Sequence, residues 1–411
     1  MKKQILSTIF CIGIIICSCS SDDSPAPAPT GGETPTEETP TPPEVGLKFF
    51  GLNESSDFGV NIFKTSYGYI SFELINGSNG AGTTGDSDIA IRKLTDKLEV
   101  IEENIMDTSS YDMLRKAIQI DEDTYILVGS RSVVDFFTSN FPIIQMVNGK
   151  GEVLKSTIIG GSAANTSNNG AINDVFLLNN EIYLAINFDG SQTTAIVLDM
   201  NLVEKWRNTF NSTRYSKIFA DPTAVYFINN KLNPAASLYN TLILNKLNIS
   251  DGTTVTSTEY ENILGQFNSE FNINKINADN DYLYLAGQGG RPKLAENGQI
   301  PQGTLLKVNK TDGNEVARLT FDKYWYLSDI EFSGNDIIIG GWSNRSFIKI
   351  DKIDTEGNQI WTYEYNESQN DVVSDIILND NGLTFIGSVQ RQATGDRDIV
   401  AGILKSDGTL K

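Results

Sequence analysis

The sequence contains no histidine, and its three cysteines (Cys11, Cys17 and Cys19) all fall near the start of the chain. Without histidine there is no Ser-His-Asp or Cys-His triad, no His-ligated zinc and no imidazole to shuttle protons near neutral pH. Beyond Cys19 the chain also has no thiolate nucleophile, no thiolate metal ligand and no disulfide. Any chemistry is left to carboxylates, tyrosine, lysine or a bound cation. Basic charge is the next shortage: 32 Lys and Arg stand against 52 Asp and Glu, a formal net charge of −20. An acidic body repels phosphate backbones, so nucleic acid is not an expected partner. Helical periodicity is missing too. Short alternating runs of β-branched and aromatic residues take its place and exclude a helical solenoid.

The first residues read as an export signal. Lys2 and Lys3 give a positive start, and Ile5 to Ile16 form an apolar stretch too short for an ordinary membrane span. Ile16-Cys17-Ser18-Cys19 resembles a bacterial lipobox, with Cys19 as the lipid acceptor; Cys17 fits less well because Ile16 would be its −1 residue. An ordinary cleaved signal with an incidental cysteine is the alternative. Acyl chains contribute about 0.8 kcal/mol per buried CH₂, so a multiply acylated Cys19 would anchor without a spanning helix. Ser20-Ser21-Asp22-Asp23 resembles the serine-plus-acidic signal that sends Bacteroidota lipoproteins to the outer surface of the outer membrane. The plainer reading of these four is a solvated start to a tether. Ser24 to Val45, rich in Pro, Thr and Glu, cannot bury enough apolar surface to fold and suits an extended stalk. The expected organisation is a signal peptide over 1–18, a lipidated cysteine with tether over 19–45, and a folded body over 46–411. Removing Lys2 and Lys3 takes the charge from −20 to −22.

The body repeats. One apolar run ending in small residues recurs seven times: Gly68-YISFE, Thr124-YILVGS, Glu181-IYLAIN, Ala224-VYFINN, Tyr282-LYLAGQG, Asp336-IIIGGW and Gly382-LTFIGS. The copies lie roughly 45 to 60 residues apart, the period of propeller blades. A second strand precedes most copies across an Asn- or Asp-rich turn, and two more follow, separated by an Asx/Gly turn. The unit is therefore four antiparallel strands, a to d, and the expected fold is an all-β, seven-bladed β-propeller. The seventh unit stops after its c–d turn, while Leu47-Lys-Phe-Phe-Gly-Leu52 is a strand without a unit. The economical reading is that this N-terminal strand completes the last blade; a frayed strand beside an incomplete blade is the alternative.

Gly85-DSDIAIRKL, Gly395-DRDIVAGIL, Ser374-DIILNDNGLTFIGS and Asp354-TEGNQIWTYEY resemble the degenerate repeats of SBBP-type, delta-60 and PQQ-like propellers. The resemblance implies a fold and no single activity. Quinoprotein dehydrogenases of this shape carry tryptophan in nearly every blade, whereas here only Trp206 and Trp361 hold comparable strand-d positions, and they read as packing residues. No cofactor is expected. Ser250-Asp-Gly-Thr and Ser406-Asp-Gly-Thr lack the tryptophan of sialidase repeats and read as Asx turns. Asp86, Asp88, Asp396 and Asp398 form two Asp-x-Asp pairs in neighbouring blades. They could supply oxygens to calcium, or simply cap the strands that follow.

The remaining signal is positional. The b–c and d–a loops of a propeller share one face, and the b–c loops here are long. Arg131, Arg291, Arg345, Arg391 and Arg397 are assigned to them, with Lys231 and Lys293, beside Phe136, Phe137, Tyr239 and Trp342. Arginine with aromatics suits a carboxylate, an acidic glycan or a peptide; solvated loops whose arginines pair with local acids are the alternative. The expected function is a non-enzymatic, membrane-anchored module binding a glycan, peptide or partner protein. A carboxylate-dependent polysaccharide-active enzyme and a structural part of an outer-membrane assembly are the alternatives. Cys19→Ser is expected to abolish acyl labelling and shift the protein to soluble fractions; labelling lost only in Cys17→Ser would move the cleavage site.

Overall fold

A computed structural model describes residues 46–51, 56–76, 87–106, 111–132, 140–160, 169–188, 192–211, 213–233, 238–261, 272–289, 293–295, 298–300, 302–343, 348–365, 371–390 and 397–411. The export signal, Cys19 and the tether lie outside these residues. After β1 (Leu47–Phe50), blade 1 comprises β2–β5 (Phe58–Thr65, Gly68–Asn76, Ser87–Leu94, Val100–Met106). Blade 2 is β6–β9 (Tyr111–Gln119, Thr124–Ser132, Asn140–Asn148, Val153–Ile158). Blade 3 is β10–β13 (Gly170–Leu178, Glu181–Phe188, Gln192–Asp199, Glu204–Asn211). Blade 4 is β14–β17 (Thr213–Asp221, Ala224–Asn233, Leu238–Leu247, Thr254–Glu261). Blade 5 is β18 and β19 (Asn272–Ala278, Tyr282–Gln288) with β22 and β23 (Gly303–Asn309, Glu315–Phe321), and a small hairpin, β20 and β21 (Lys293–Ala295, Gly298–Ile300), interrupts it. Blade 6 is β24–β27 (Tyr324–Ser333, Asp336–Ser343, Ile348–Ile353, Gln359–Tyr365) and blade 7 opens with β28–β30 (Val372–Asn379, Gly382–Gln390, Arg397–Lys405). Every blade is a four-stranded antiparallel sheet.

The middle strands read as unbroken apolar runs because neighbouring blades cover both their faces. Tyr183, Leu184, Ala185 and Ile186 of blade 3, for example, are all fully buried. Strand d lies on the outer rim and tolerates charge, as the exposed and half-exposed positions of Val100–Met106 show. Seven separate hydrophobic clusters form, one at each junction between blades. At the first, Phe72 and Ile91 of blade 1 pack on Tyr125 and Val147 of blade 2.

Strands a contact one another in sequence around the axis, and the ring closes between β28 and β2. Each a strand carries a β-bulge. Beyond the bulge, opposite the fifth residue of the recurrent run, stand Asn61, Lys116, Asp174, Lys217, Lys275, Asp329 and Asp375, a polar belt around the channel. Four of them accept the N–H of the next blade's a strand: Asn61 Oδ1 from Ala117 at 2.8 Å, Asp174 Oδ2 from Ile218 at 3.1 Å, Asp329 Oδ2 from Ile376 at 2.7 Å and Asp375 Oδ2 from Ile62 at 3.0 Å. Removing such an acceptor from a buried N–H costs about 1–3 kcal/mol.

A second inter-blade contact lies at the c–d turns. Each holds one residue in the left-handed region: Leu98, Gly151, Leu202, Gly252, Gly313, Gly357 and Gly408. At Gly252 and Gly408 the reason is close approach. The rings of Trp206 and Trp361, from strand d of the preceding blade, lie where a Cβ would be. Their indole N–H groups donate to Ile249 O at 3.1 Å and Ser406 O at 3.0 Å. The two tryptophans are thus inter-blade packing residues, and Asp251 and Asp407 shape Asx turns by accepting from Thr253 and Thr409. Leu98 and Leu202 bear the left-handed backbone without glycine; Leu98 is 1% exposed, and its burial offsets the strain.

β1 completes blade 7, pairing antiparallel with β30 from Leu47↔Gly402 to Phe50↔Ile399. Leu47 enters the cluster with Phe385 and Val400, and Phe49 packs 6.0 Å from Tyr365. Arg92 of blade 1, buried beside Glu73 and Glu103, lies 5.6 Å over the Phe50 ring. One blade is therefore built from both ends of the ring. Deleting residues 47–50 is expected to cost roughly 3 kcal/mol or more, from lost apolar burial and an exposed strand edge. The measurement is equilibrium denaturation with light scattering; an unchanged unfolding midpoint would rule out the closure role.

Candidate functional site

Two concave regions follow from this frame: the channel wall, and its mouth on the b–c and d–a face. At the mouth, blade 6 begins with Tyr324-Trp325-Tyr326, and its b strand ends in Trp342-Ser343. A bulge between Tyr324 and Tyr326 lets Trp325 turn out of register, and Tyr326 pairs with Trp342. The Trp325 and Trp342 rings lie 4.5 Å apart and tilted, and Tyr326 meets Trp342 edge-on at 5.6 Å. Neither indole N–H finds a hydrogen-bond partner among the described residues.

Arg397, the first residue of strand c in blade 7, extends this cluster. Its guanidinium lies 5.2 Å over the Phe58 ring and makes no ion pair among the described residues. Burial lowers its pKa from the ordinary value, against the opposing influence of Tyr326 and Asp371. Burial likewise raises the Tyr326 phenol, with Arg397 opposing. The mouth thus combines aromatic surface with a half-buried cation, over two buried indole N–H groups that have no partner among the described residues, a set that can stack on a ring and hold an acidic group.

The sequence expectations fare unevenly against this geometry. Trp342 and Arg397 meet at the mouth, but both stand on strands rather than in loops, as does Arg131 at the end of strand b of blade 2. Arg131 is part of blade 2, with blades 7 and 1 between it and the three aromatics of blade 6. Lys231 is also on a strand and pairs with Glu259 at 2.8 Å. Tyr239 belongs to strand c of blade 4, which shortens the expected loop there to residues 234–237. Arg291, Arg345, Arg391, Phe136 and Phe137, with Asp86 and Asp396, lie outside the described residues. Asp88 and Asp398 stand on strands c of blades 1 and 7. Among the described residues no three acidic side chains are placed to hold a metal ion. Trp325 and Tyr326 were not anticipated; three consecutive aromatics at the start of a strand a were the available signal.

Deeper in the channel the belt carries charge. Lys116 reaches Asp174 at 2.6 Å, and Lys275 reaches Asp329 at 2.5 Å and Glu331 at 3.5 Å. Burial works to raise the Asp174 carboxyl, yet Lys116 and Lys217 hold it below the usual range. In blades 6 and 7 the balance reverses. Burial, then Asp329, push Glu331 up to about 7 and Asp375 up to about 6, with Lys275 opposing. On the opposite face a groove of about 330 Å³ between blades 7 and 1 is lined by Lys64, Tyr69, Asp96, Asp380 and Asn381 among others. Lys64 there is already bonded to Asp96.

The fold and mouth together define a class: a seven-bladed β-propeller with an aromatic, arginine-bearing channel entrance. No protein-family model matches the chain, and no curated protein matches it. Solved structures share the fold. The WD40 β-propeller domain of Doa1 matches with a TM-score of 0.51 at 9% identity, over 87% of this chain and 96% of that one. The Dos1 propeller matches with a TM-score of 0.50 at 12% identity, over 87% and 95%. At such identities the likeness is one of architecture.

The raised channel acids predict a pH dependence. Their protons are bound more tightly in the folded state, so the stability they confer is full below about pH 4 and lost as pH rises through about 6 to 7. Glu331→Gln is expected to flatten the fall in unfolding free energy between pH 5 and 7. Urea melts across that range that fall as steeply as wild type would contradict the assignment.

Proposed function

We propose that this chain is a non-enzymatic binding module, displayed on the bacterial surface as a Bacteroidota-type outer-membrane lipoprotein lipidated at Cys19, with a propeller of the SBBP or PQQ-like repeat type. It holds its ligand at the aromatic mouth. The observation that carries the reading is the convergence, at one end of the channel, of Trp325, Tyr326, Trp342 and Arg397, an arginine that makes no ion pair among the described residues. Among glycan, peptide and partner protein, a glycan bearing an acidic group fits this chemistry best. Indole faces stack on sugar rings, and the guanidinium takes a carboxylate.

The enzymatic reading draws less support. A raised acid such as Glu331 suits general acid catalysis. Yet Asp329, Glu331 and Asp375 stand on adjoining blades around the same Lys275, an arrangement that serves the belt.

Trp342→Ala combined with Arg397→Ala is expected to weaken binding on an acidic-glycan array by about 2 kcal/mol or more. Trp361→Ala, which removes an inter-blade contact, should lower the melting temperature and leave the folded fraction binding normally. Wild-type binding by a folded double variant would remove the mouth from consideration and favour the assembly role.

A further inference from the structure

The belt follows one bonding rule, and blade 4 breaks it. In blades 1, 3, 6 and 7 the belt residue accepts the next blade's N–H. Lysine cannot accept, so Lys116 and Lys275 reach forward to the belt acid of the following blade, Asp174 and Asp329. Lys217 has no acid ahead of it, because the next belt residue is Lys275. Its Nζ turns back toward blade 3 and donates to the Asn173 carbonyl at 3.4 Å. It makes no ion pair among the described residues. Asp174, the acid whose field it feels, is already engaged by Lys116 and by the Ile218 N–H.

One opposite charge and three like charges act on this amine. Burial, reinforced by Lys116, Arg115 and Lys275, lowers the Lys217 pKa from its ordinary value, with Asp174 opposing. In a chain of net charge −20, Arg115, Lys116, Lys217 and Lys275 stand on strands a of blades 2, 4 and 5. The one on blade 4 is held only by its long hydrogen bond to the Asn173 carbonyl of blade 3, with no ion pair among the described residues.

We propose that Lys217, at the belt position of blade 4, forms a binding site on the channel wall for a small oxyanion, the carboxylate or phosphate group of a soluble ligand. Such a group supplies the acceptor that the belt lacks between blades 4 and 5. It also relieves the repulsion among the lysines, through charge-assisted hydrogen bonds in a partly dry environment. The site is independent of the aromatic mouth.

The test is calorimetric titration and thermal shift of the purified chain with inorganic phosphate and with succinate, against chloride at equal ionic strength. Saturable binding of either anion, with a rise in melting temperature that chloride does not reproduce, is the expected result. The anion that binds identifies the group. Lys217→Met is expected to weaken binding about tenfold or more, Lys217→Arg to retain it, and Trp342→Ala to leave it unchanged. Should Lys217→Met fold poorly, acylation of Lys217 in the wild-type chain, followed by peptide mass spectrometry, gives the same answer. The bound anion should slow modification of Lys217 and spare the exposed Lys97. Absence of saturable binding by both anions, wild-type affinity in Lys217→Met, or no protection of Lys217 would overturn the proposal.

Discussion

At four of its seven junctions this ring rests on a side chain of one blade accepting the backbone N–H of the next. A four-stranded sheet has no hydrogen bonds to offer its neighbour face to face, so apolar packing alone would let blades slide. The bonds from Asn61, Asp174, Asp329 and Asp375 fix the height of the a strand against the next at four junctions. They also explain the bulges, which rotate one residue per blade toward its neighbour. Buried carboxylates are costly unless paired. The lysines of blades 2 and 5 are therefore partners of the belt acids as well as members of the belt.

That arrangement gives the channel its character. Acids that would otherwise repel one another in blades 6 and 7 are gathered around a single Lys275, at the expense of raised proton affinity. On the other side of the axis the cations outnumber the acids. The mouth differs again: its polar groups are indoles and one guanidinium, set among aromatic rings. A single fold thus offers separate environments along one axis without any insertion between blades 6 and 7 to build them.

Much of the architecture was legible because burial on two faces writes itself into strand b as an unbroken apolar run, seven times over. The closing strand was legible by subtraction, since blade 7 lacked a strand d and Leu47–Phe50 lacked a blade. The belt was not legible, because Asn, Lys and Asp occupy equivalent places and only the bonding between blades reveals the equivalence. Arg131, Arg397 and Trp342 were assigned to loops because their strands continue past the last recurrent apolar residue, where polarity no longer marks the backbone. Trp325 and Tyr326 were hidden by the bulge, which breaks the alternation that would have shown one of them facing the channel.

The direction of β1 has a geometric consequence. Leu47 lies opposite Gly402, toward the c–d turn end of strand c, while Phe50 lies opposite Ile399, near its b–c end. The backbone therefore enters the ring from the turn face and runs toward the face that bears Trp342 and Arg397. The latch therefore spans the thickness of the ring, so the strand that closes blade 7 also joins the two faces of the propeller, the c–d turns at its start and the neighbourhood of Arg397 at its end.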